Sequence, residues 1–327
     1  MGFVRSLKGT AIAGRYLALA VLVVVVLAVV ATGLYFTGPS LTGGSSPSQS
    51  SSTKVQIVAA ENFWGSLASQ LGGDHVNVTS IVSDPNTDPH EYESNPANAR
   101  AITNARLIIV NGAGYDTWAL NIISAENTPN QVVLNVQQIV KQPVDANPHF
   151  WYSPYYVNDT VSAIYKALVK IDATDKSYFA TQYSSLNSSL YSSFMKQEEI
   201  IKSQFAGTPV AATEDIFVYM ANATGLSIIS PPAFMQAVAE GNDPSAQDVA
   251  TFDNQLNGGN ATVKVLVYNE QTVTPLTQNL LALAAQKEVP YIRISETIQP
   301  PNFTFQAWMQ GELGQLQNAL NAEALGQ

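Results

Sequence analysis

From residue 55 onward, apolar runs of strand length alternate with stretches of helical periodicity. Residues 55–60 (VQIVAA), 76–83 (VNVTSIVS), 107–111 (LIIVN) and 132–136 (VVLNV) form one series. Residues 209–212 (PVAA), 226–230 (LSIIS), 263–268 (VKVLVY) and 290–295 (PYIRIS) form a second. Near-continuous Val/Ile/Leu runs separated by helices indicate parallel strands covered on both faces. Pro96 suits the first turn of a helix reaching Ala105, and Asp116 is placed to cap another that ends near Glu126. Between the two series, residues 172–205 contain neither Gly nor Pro. Asp175 reads there as an N-cap, and Tyr183, Leu186, Leu190 and Phe194 recur at helical spacing. A helix of about 30 residues is about 45 Å long, too long for one ordinary lobe. The pattern predicts an α/β protein of two four-stranded parallel-sheet lobes joined by one long rigid helix, whose aromatic stripe packs against both lobes.

Ahead of this alternation the pattern changes. Tyr16 to Phe36 is a run of 21 residues without a charge, the length needed to span a bilayer. It exceeds the apolar core of a cleaved signal peptide, and no A-x-A site follows it. Arg5, Lys8 and Arg15 precede it, so the positive-inside rule places the N-terminus in the cytoplasm and the bulk of the chain outside. Residues 37–53 (TGPSLTGGSSPSQSSST) bury nothing and read as a flexible tether. The expected organisation is a cytoplasmic tip and single-pass transmembrane anchor over 1–36 and a linker over 37–53. An N-terminal lobe over 54–171, a linking helix over 172–206 and a C-terminal lobe over 207–327 follow.

Composition narrows the chemistry. The 327 residues include no cysteine and three histidines, with 15 Lys+Arg against 25 Asp+Glu. Without Cys there are no disulfides, thiolate metal sites, cysteine nucleophiles or lipid-modified N-terminal Cys. With all 25 acidic residues and all but three of the basic ones, the exported part carries a formal charge of −13, which argues against nucleic acid.

Two of the three histidines share one local setting. His90 lies in DPNTDPHEYE after the second apolar run, and His149 lies in ANPHFWYSP after the fourth. Each follows an Asx–Pro pair, and proline stiffens the turn that presents the imidazole. Turns after strand C-termini line the ligand crevice of open parallel sheets, so the pair reads as half of a metal site. His75, in GGDHVNV before a strand, reads as a surface residue. The second lobe has no histidine, so carboxylates must complete a shared site. Glu214 follows its first strand, with Asp215 beside it, and Glu296 follows its last. A divalent cation offsets the cost of holding such carboxylates in a cleft.

These residues resemble the zinc/manganese solute-binding receptors of ABC-type importers. The matching stretches are DPHEYE, NPHFWYSP, TEDIFVYMANATGL and ISETIQPP, supported by VNGAGYDTW, FMQAVAEGNDPSAQD, VYNEQTVTP and FQAWMQGELGQLQNAL. The resemblance covers about residues 55–320. It implies His90, His149, Glu214 and Glu296 as metal ligands, and no catalytic residue. Position 214 is Glu as in manganese-type members, where zinc-type members have His; position 296 is Glu where many have Asp. The resemblance further implies a monomeric, membrane-anchored extracytoplasmic receptor that hands a divalent metal to an ABC permease with its ATPase subunits.

Two imidazoles and two carboxylates suit Mn²⁺, Zn²⁺ or Fe²⁺. Oxygen-rich coordination tilts the choice toward manganese, although intrinsic affinity rises from manganese to zinc. An ordinary Glu ionises near pH 4.3 and imidazole near 6.5, so Glu214 is expected to suffer less proton competition than a His there. The competing reading is a metal-dependent hydrolase using the same ligands, since a metal with one open position activates water. Against it, four ligands leave no obvious open position, and the chain has no H-E-x-x-H, G-x-S-x-G or Walker motif. A surface adhesin with a structural metal is a third reading, for which the sequence offers no repeats.

Overall fold

A computed structural model describes residues 53–126, 128–258 and 262–325. The expected transmembrane anchor and nearly all of the Ser/Gly/Pro-rich tether lie outside the described residues. Among the described residues no helix is long and apolar enough to cross a membrane.

The first sheet contains β1 (Val55–Glu61), β2 (Val76–Val82), β3 (Leu107–Val110) and β4 (Val132–Asn135), all parallel, in the order β2-β1-β3-β4. The second contains β5 (Pro209–Ala212), β6 (Ser227–Ile228), β7 (Leu266–Asn269) and β8 (Tyr291–Ile294), again parallel, in the order β6-β5-β7-β8. The second order is the first advanced by four strands, so both lobes reverse direction beside their first strand. Such a switch point leaves a crevice at the strand C-termini. Four residues of the first sheet, Val58, Ala59, Ile108 and Ile109, are almost wholly buried, as expected of strands covered on both faces.

All eight apolar runs carry strands. The shortest is β6, where the run 226–230 yields two ladder residues. Ser230 takes over the pairing with its side chain, Oγ accepting from Ala212 N at 2.7 Å, and Pro231 and Pro232 then start a helix. In the 263–268 run, Lys264 N already donates to Pro209 O and Val265 O accepts from Ala211 N, so pairing begins ahead of the regular strand.

Helices α1 (Asn62–Gly72), α2 (Pro96–Asn104), α3 (Thr117–Glu126), α4 (Val136–Ile139) and α5 (Pro154–Ile171) surround the first sheet. Pro96 opens α2 as expected, behind a reciprocal Asn95/Asn98 capping box. Asp116 departs from expectation: its carboxylate turns back to accept from Asn111 N (2.5 Å) and Gly112 N (2.8 Å), and only its main-chain oxygen receives Ala119 N at the start of α3.

The linking helix α6 runs on through Lys176–Leu190, a π-helical turn Tyr191–Met195, and Lys196–Phe205. Leu186, Leu190, Phe194 and Ile201 point into the core, while Tyr183 stacks on Tyr165 of α5 with ring centroids 4.6 Å apart. Asp175 precedes α6 but makes no side-chain cap bond. Its carboxylate lies 2.5 Å from Nδ1 of His75, which the sequence reading left as an unattached surface residue. A tertiary partner, 100 residues away in sequence, takes the Asp175 oxygen in place of the local backbone.

The second lobe adds α7 (Val218–Thr224), α8 (Pro232–Ala239), α9 (Ala246–Leu256), α10 (Pro275–Gln286) and the terminal α11 (Phe305–Leu325). α11 returns to the first lobe, and the main hydrophobic cluster runs through both lobes, from Phe63, Trp64 and Trp151 to Phe217, Trp308 and Leu316. Phe63 of α1 stacks on Trp151 at 4.2 Å and faces Trp308 of α11 at 6.4 Å. The lobes therefore share this cluster, and each keeps a smaller one of its own.

Phe63→Ala should cost about 3–5 kcal/mol, the usual range for a truncated buried aromatic. Urea unfolding followed by both tryptophan fluorescence and far-UV circular dichroism should show one coincident transition. Two separated transitions would contradict a shared core.

Candidate metal centre

The two histidine turns are built alike. Asp88 is extended (φ −73°, ψ 116°), as a residue before proline must be, and Pro89–Glu91 form a single 3₁₀ turn. The Asp88 carboxylate accepts from His90 N at 2.9 Å, closing an Asx turn. Asn147 does the same for His149: its Oδ1 accepts from His149 N at 3.0 Å and lies 2.8 Å from His149 Nδ1. An amide oxygen only accepts, so Nδ1 carries the hydrogen and Nε2 presents a lone pair. That Nε2 is buried and has no hydrogen-bond partner. Asn147 also reaches the other lobe, its Nδ2 donating to Asp215 O at 2.7 Å, while Tyr219 OH donates to Asn147 O at 2.9 Å.

Glu296 stands just beyond the end of β8 with no exposed surface. Its Oε2 accepts from Tyr115 OH at 2.7 Å and lies 3.3 Å from His90 Nε2 and 3.9 Å from His149 Nε2; its Oε1 accepts from Asn269 Nδ2 at 2.6 Å. Gln271 braces the backbone here. Its Oε1 accepts from Glu296 N, and its Nε2 donates to Thr87 O in the His90 loop of the other lobe. Behind this strand end, the buried Glu312 of α11 accepts from Ser295 N, Tyr152 OH and Trp308 Nε1.

Donor atoms of His90, His149 and Glu296 all lie within 4.8 Å of one another. Glu214, just beyond β5, is buried beside them but outside that trio. One of its oxygens accepts from the Thr272 hydroxyl, and the other, Oε2, is buried without a partner. Asp215 lies behind His149, its Oδ1 3.4 Å from Nδ1.

The buried charges sort themselves. Burial alone would raise Glu296, but the hydrogen bond and charge of His90, the charge of His149 and the Tyr115 hydroxyl hold it well below the ordinary range. Burial alone would lower His90, but the hydrogen bond and charge of Glu296, with Asp88 and Glu214, carry it up to about 9. Burial pulls His149 down to about 3, so it stays neutral. Burial, then repulsion from Glu296, pushes Glu214 up to about 8. Glu214, expected from ordinary values to meet less proton competition than a His, therefore sits well above the ordinary carboxylate range, because burial and the Glu296 charge favour its protonated form. At pH 7 His90⁺, Glu296⁻, neutral His149 and neutral Glu214 sum to no net charge, and Asp215 beside them, raised by burial only to about 6, adds a negative one.

A cavity of about 840 Å³ opens beside His90. Asp88, Glu91, Asp145, Asp215 and Glu240 line it, with no Lys or Arg among its lining residues.

Sequence reasoning placed the two histidines and two glutamates but missed the residues that hold them. Asp88 and Asn147 were readable as Asx turns. Tyr115, Asn269, Gln271 and Thr272 lie at or just beyond the ends of β3 and β7, the same strand-end position that singled out the glutamates, and that rule was not applied to uncharged side chains.

Comparison with known proteins agrees with this architecture. The manganese-binding lipoprotein MntA of Halalkalibacterium halodurans is 25% identical over 186 residues, covering 54% of this chain and 59% of its own length. The manganese ABC transporter substrate-binding lipoprotein PsaA of Streptococcus anginosus is 22% identical over 225 residues, covering 63% and 70%. A cadmium-bound periplasmic metal-binding protein from Candidatus Liberibacter asiaticus superposes with a TM-score of 0.67 at 17% identity, covering 82% of this chain and 100% of that one, which establishes the shared fold. The model of the family described as ZnuA, zinc-uptake complex component A, periplasmic, matches residues 57–319. The chain belongs to this family, whose members are solute-binding receptors and not enzymes.

Proposed function

We propose that the chain is an extracytoplasmic receptor that captures one divalent transition-metal ion between its lobes and delivers it to an ABC permease. His90, His149, Glu214 and Glu296 are its ligands, and the uncharged run 16–36 anchors it in the membrane. The observation that carries the reading is the convergence of three donor groups within 4.8 Å, two of them fully buried. Partnerless Nε2 of His149 and Oε2 of Glu214 add to it. Buried polar atoms are costly unless satisfied, and a cation satisfies these.

The ligand set has a definite proton economy. A metal ligand must be deprotonated, so the ion displaces the proton of His90 and that of Glu214. A charge of +2 enters as two protons leave, so the summed charge of these four groups and the ion is zero before and after. Manganese and zinc both suit two imidazoles and two carboxylates, and the oxygen share favours manganese in service while zinc binds more tightly in vitro. The acidic cavity beside His90 raises the local concentration of cations.

Calorimetry at pH 7 in buffers of different ionisation enthalpy should show nearly two protons released per Mn²⁺ or Zn²⁺. Glu214→Gln should release one and bind more weakly; undiminished affinity in Glu214→Gln would remove Glu214 from the ligand set. His90→Ala and Glu296→Ala should each lower affinity by at least a hundredfold, and Asn269→Ala by about 10–100-fold, as for residues that orient a ligand.

The metal-free chain should respond to pH in the opposite sense. His90, Glu214, Glu198 and Glu312 all have folded pKa values raised to about 8–9, so each takes up a proton on folding above its unfolded value. Their contributions to stability grow as pH falls from about 9 to 6.5, and below that the depressed His149 opposes them. Thermal denaturation in chelator should show Tm rising as pH is lowered across that window, while metal affinity falls.

A further inference from the structure

A second cavity, of about 600 Å³, lies away from the metal-ligand trio, between the start of α5, the middle of α6 and α7. That volume is ordinary for a small organic ligand. Four tyrosines line it, Tyr155, Tyr156, Tyr191 and Tyr219, together with Met195. Tyr155 and Tyr191 are 78% and 52% exposed, and Tyr156 meets Tyr219 edge to face at 5.4 Å. Tyr191 and Met195 begin and end the π-helical turn of α6, a local irregularity that recurs at functional sites.

One wall residue is out of keeping with the rest. Glu198 is 3% exposed, and its Oε1 is buried with no hydrogen-bond partner. Burial, then the nearby Glu199 charge, pushes it up to about 9, and no basic group pulls it back. Lys202 lies at the same cavity but forms no ion pair with either glutamate among the described residues. An unpartnered carboxyl among aromatic rings is a net cost in the empty molecule.

We propose that this cavity binds an alkylammonium ligand, its N–H donors meeting Glu198 Oε1 and its carbon chain lying among the four tyrosine rings. Ring faces attract cations, and the attraction grows as water is excluded. An anion brings no donor for Glu198 Oε1 and would lie beside the Glu199 carboxylate. A neutral alcohol would satisfy Oε1 and pack on the rings, but carries no charge for the ring faces to attract.

The test is a calorimetric titration of the purified full chain, in chelator, with phenethylamine and with its neutral counterpart 2-phenylethanol. Phenethylamine should bind saturably at one per chain and at least tenfold more tightly than 2-phenylethanol, a difference of about 1.4 kcal/mol. Glu198→Gln mimics the protonated carboxyl, so it should keep or raise Tm while weakening phenethylamine at least tenfold; Tyr191→Ala, at an exposed ring, should weaken it about threefold or more. No saturable phenethylamine binding up to about 10 mM would overturn the proposal. So would equal binding of the alcohol, or undiminished binding by a folded Glu198→Gln. None of these outcomes bears on the metal centre.

Discussion

The buried carboxylate of Glu296 is the constraint around which the two lobes are arranged. A lone charge at that depth would cost several kcal/mol, so the surrounding residues must supply donors. They come from both sides: Tyr115 and His90 from the first lobe, Asn269 from the second. Gln271 then fastens the same backbone to the His90 loop. The contacts that keep this carboxylate ionised are thus also contacts that hold the crevice together. Its imidazolium partner, His90, balances that one charge.

The shared hydrophobic core works to the same end. Two sheets with the same strand order suggest two independent lobes, but α1, the Trp151 turn, α6 and α11 interleave between them. Opening the crevice widely would pull Trp308 away from Phe63 and Trp151. The turns that present His90 and His149 each carry their own Asx brace.

The sheets were legible in the sequence because parallel strands buried on both faces leave continuous apolar runs. Helix caps were less legible. Asp116 and Asp175 both sit where a cap belongs, and both side chains turn to other partners, the turn at Asn111 in one case and His75 in the other. Local propensity ranks the residue correctly for the place, but a tertiary partner decides where its oxygen goes. At the candidate metal centre, residue identity and strand-end position singled out four titratable residues, three of which the fold brings within 4.8 Å. Their protonation was not legible, since burial moves Glu214 and His149 in directions that ordinary values do not suggest. The uncharged supports were missed because Asn, Gln, Thr and Tyr are common at strand ends and acquire meaning only from what they face.

The π-helical turn in α6 is, in effect, one extra residue written into an otherwise regular helix. Each residue advances an α-helix by about 100°, so the insertion sets the angular phase of everything after it. Glu198 and Ile201 lie on the buried side because of that phase. A single-residue deletion within 191–195 would leave every strand and both histidine turns untouched. It would nevertheless rotate the second half of α6 by about a quarter turn, bringing other side chains to the buried face. Length variation at this helix among relatives is therefore a more sensitive marker of how the aromatic cavity arose than substitution at any of its tyrosines.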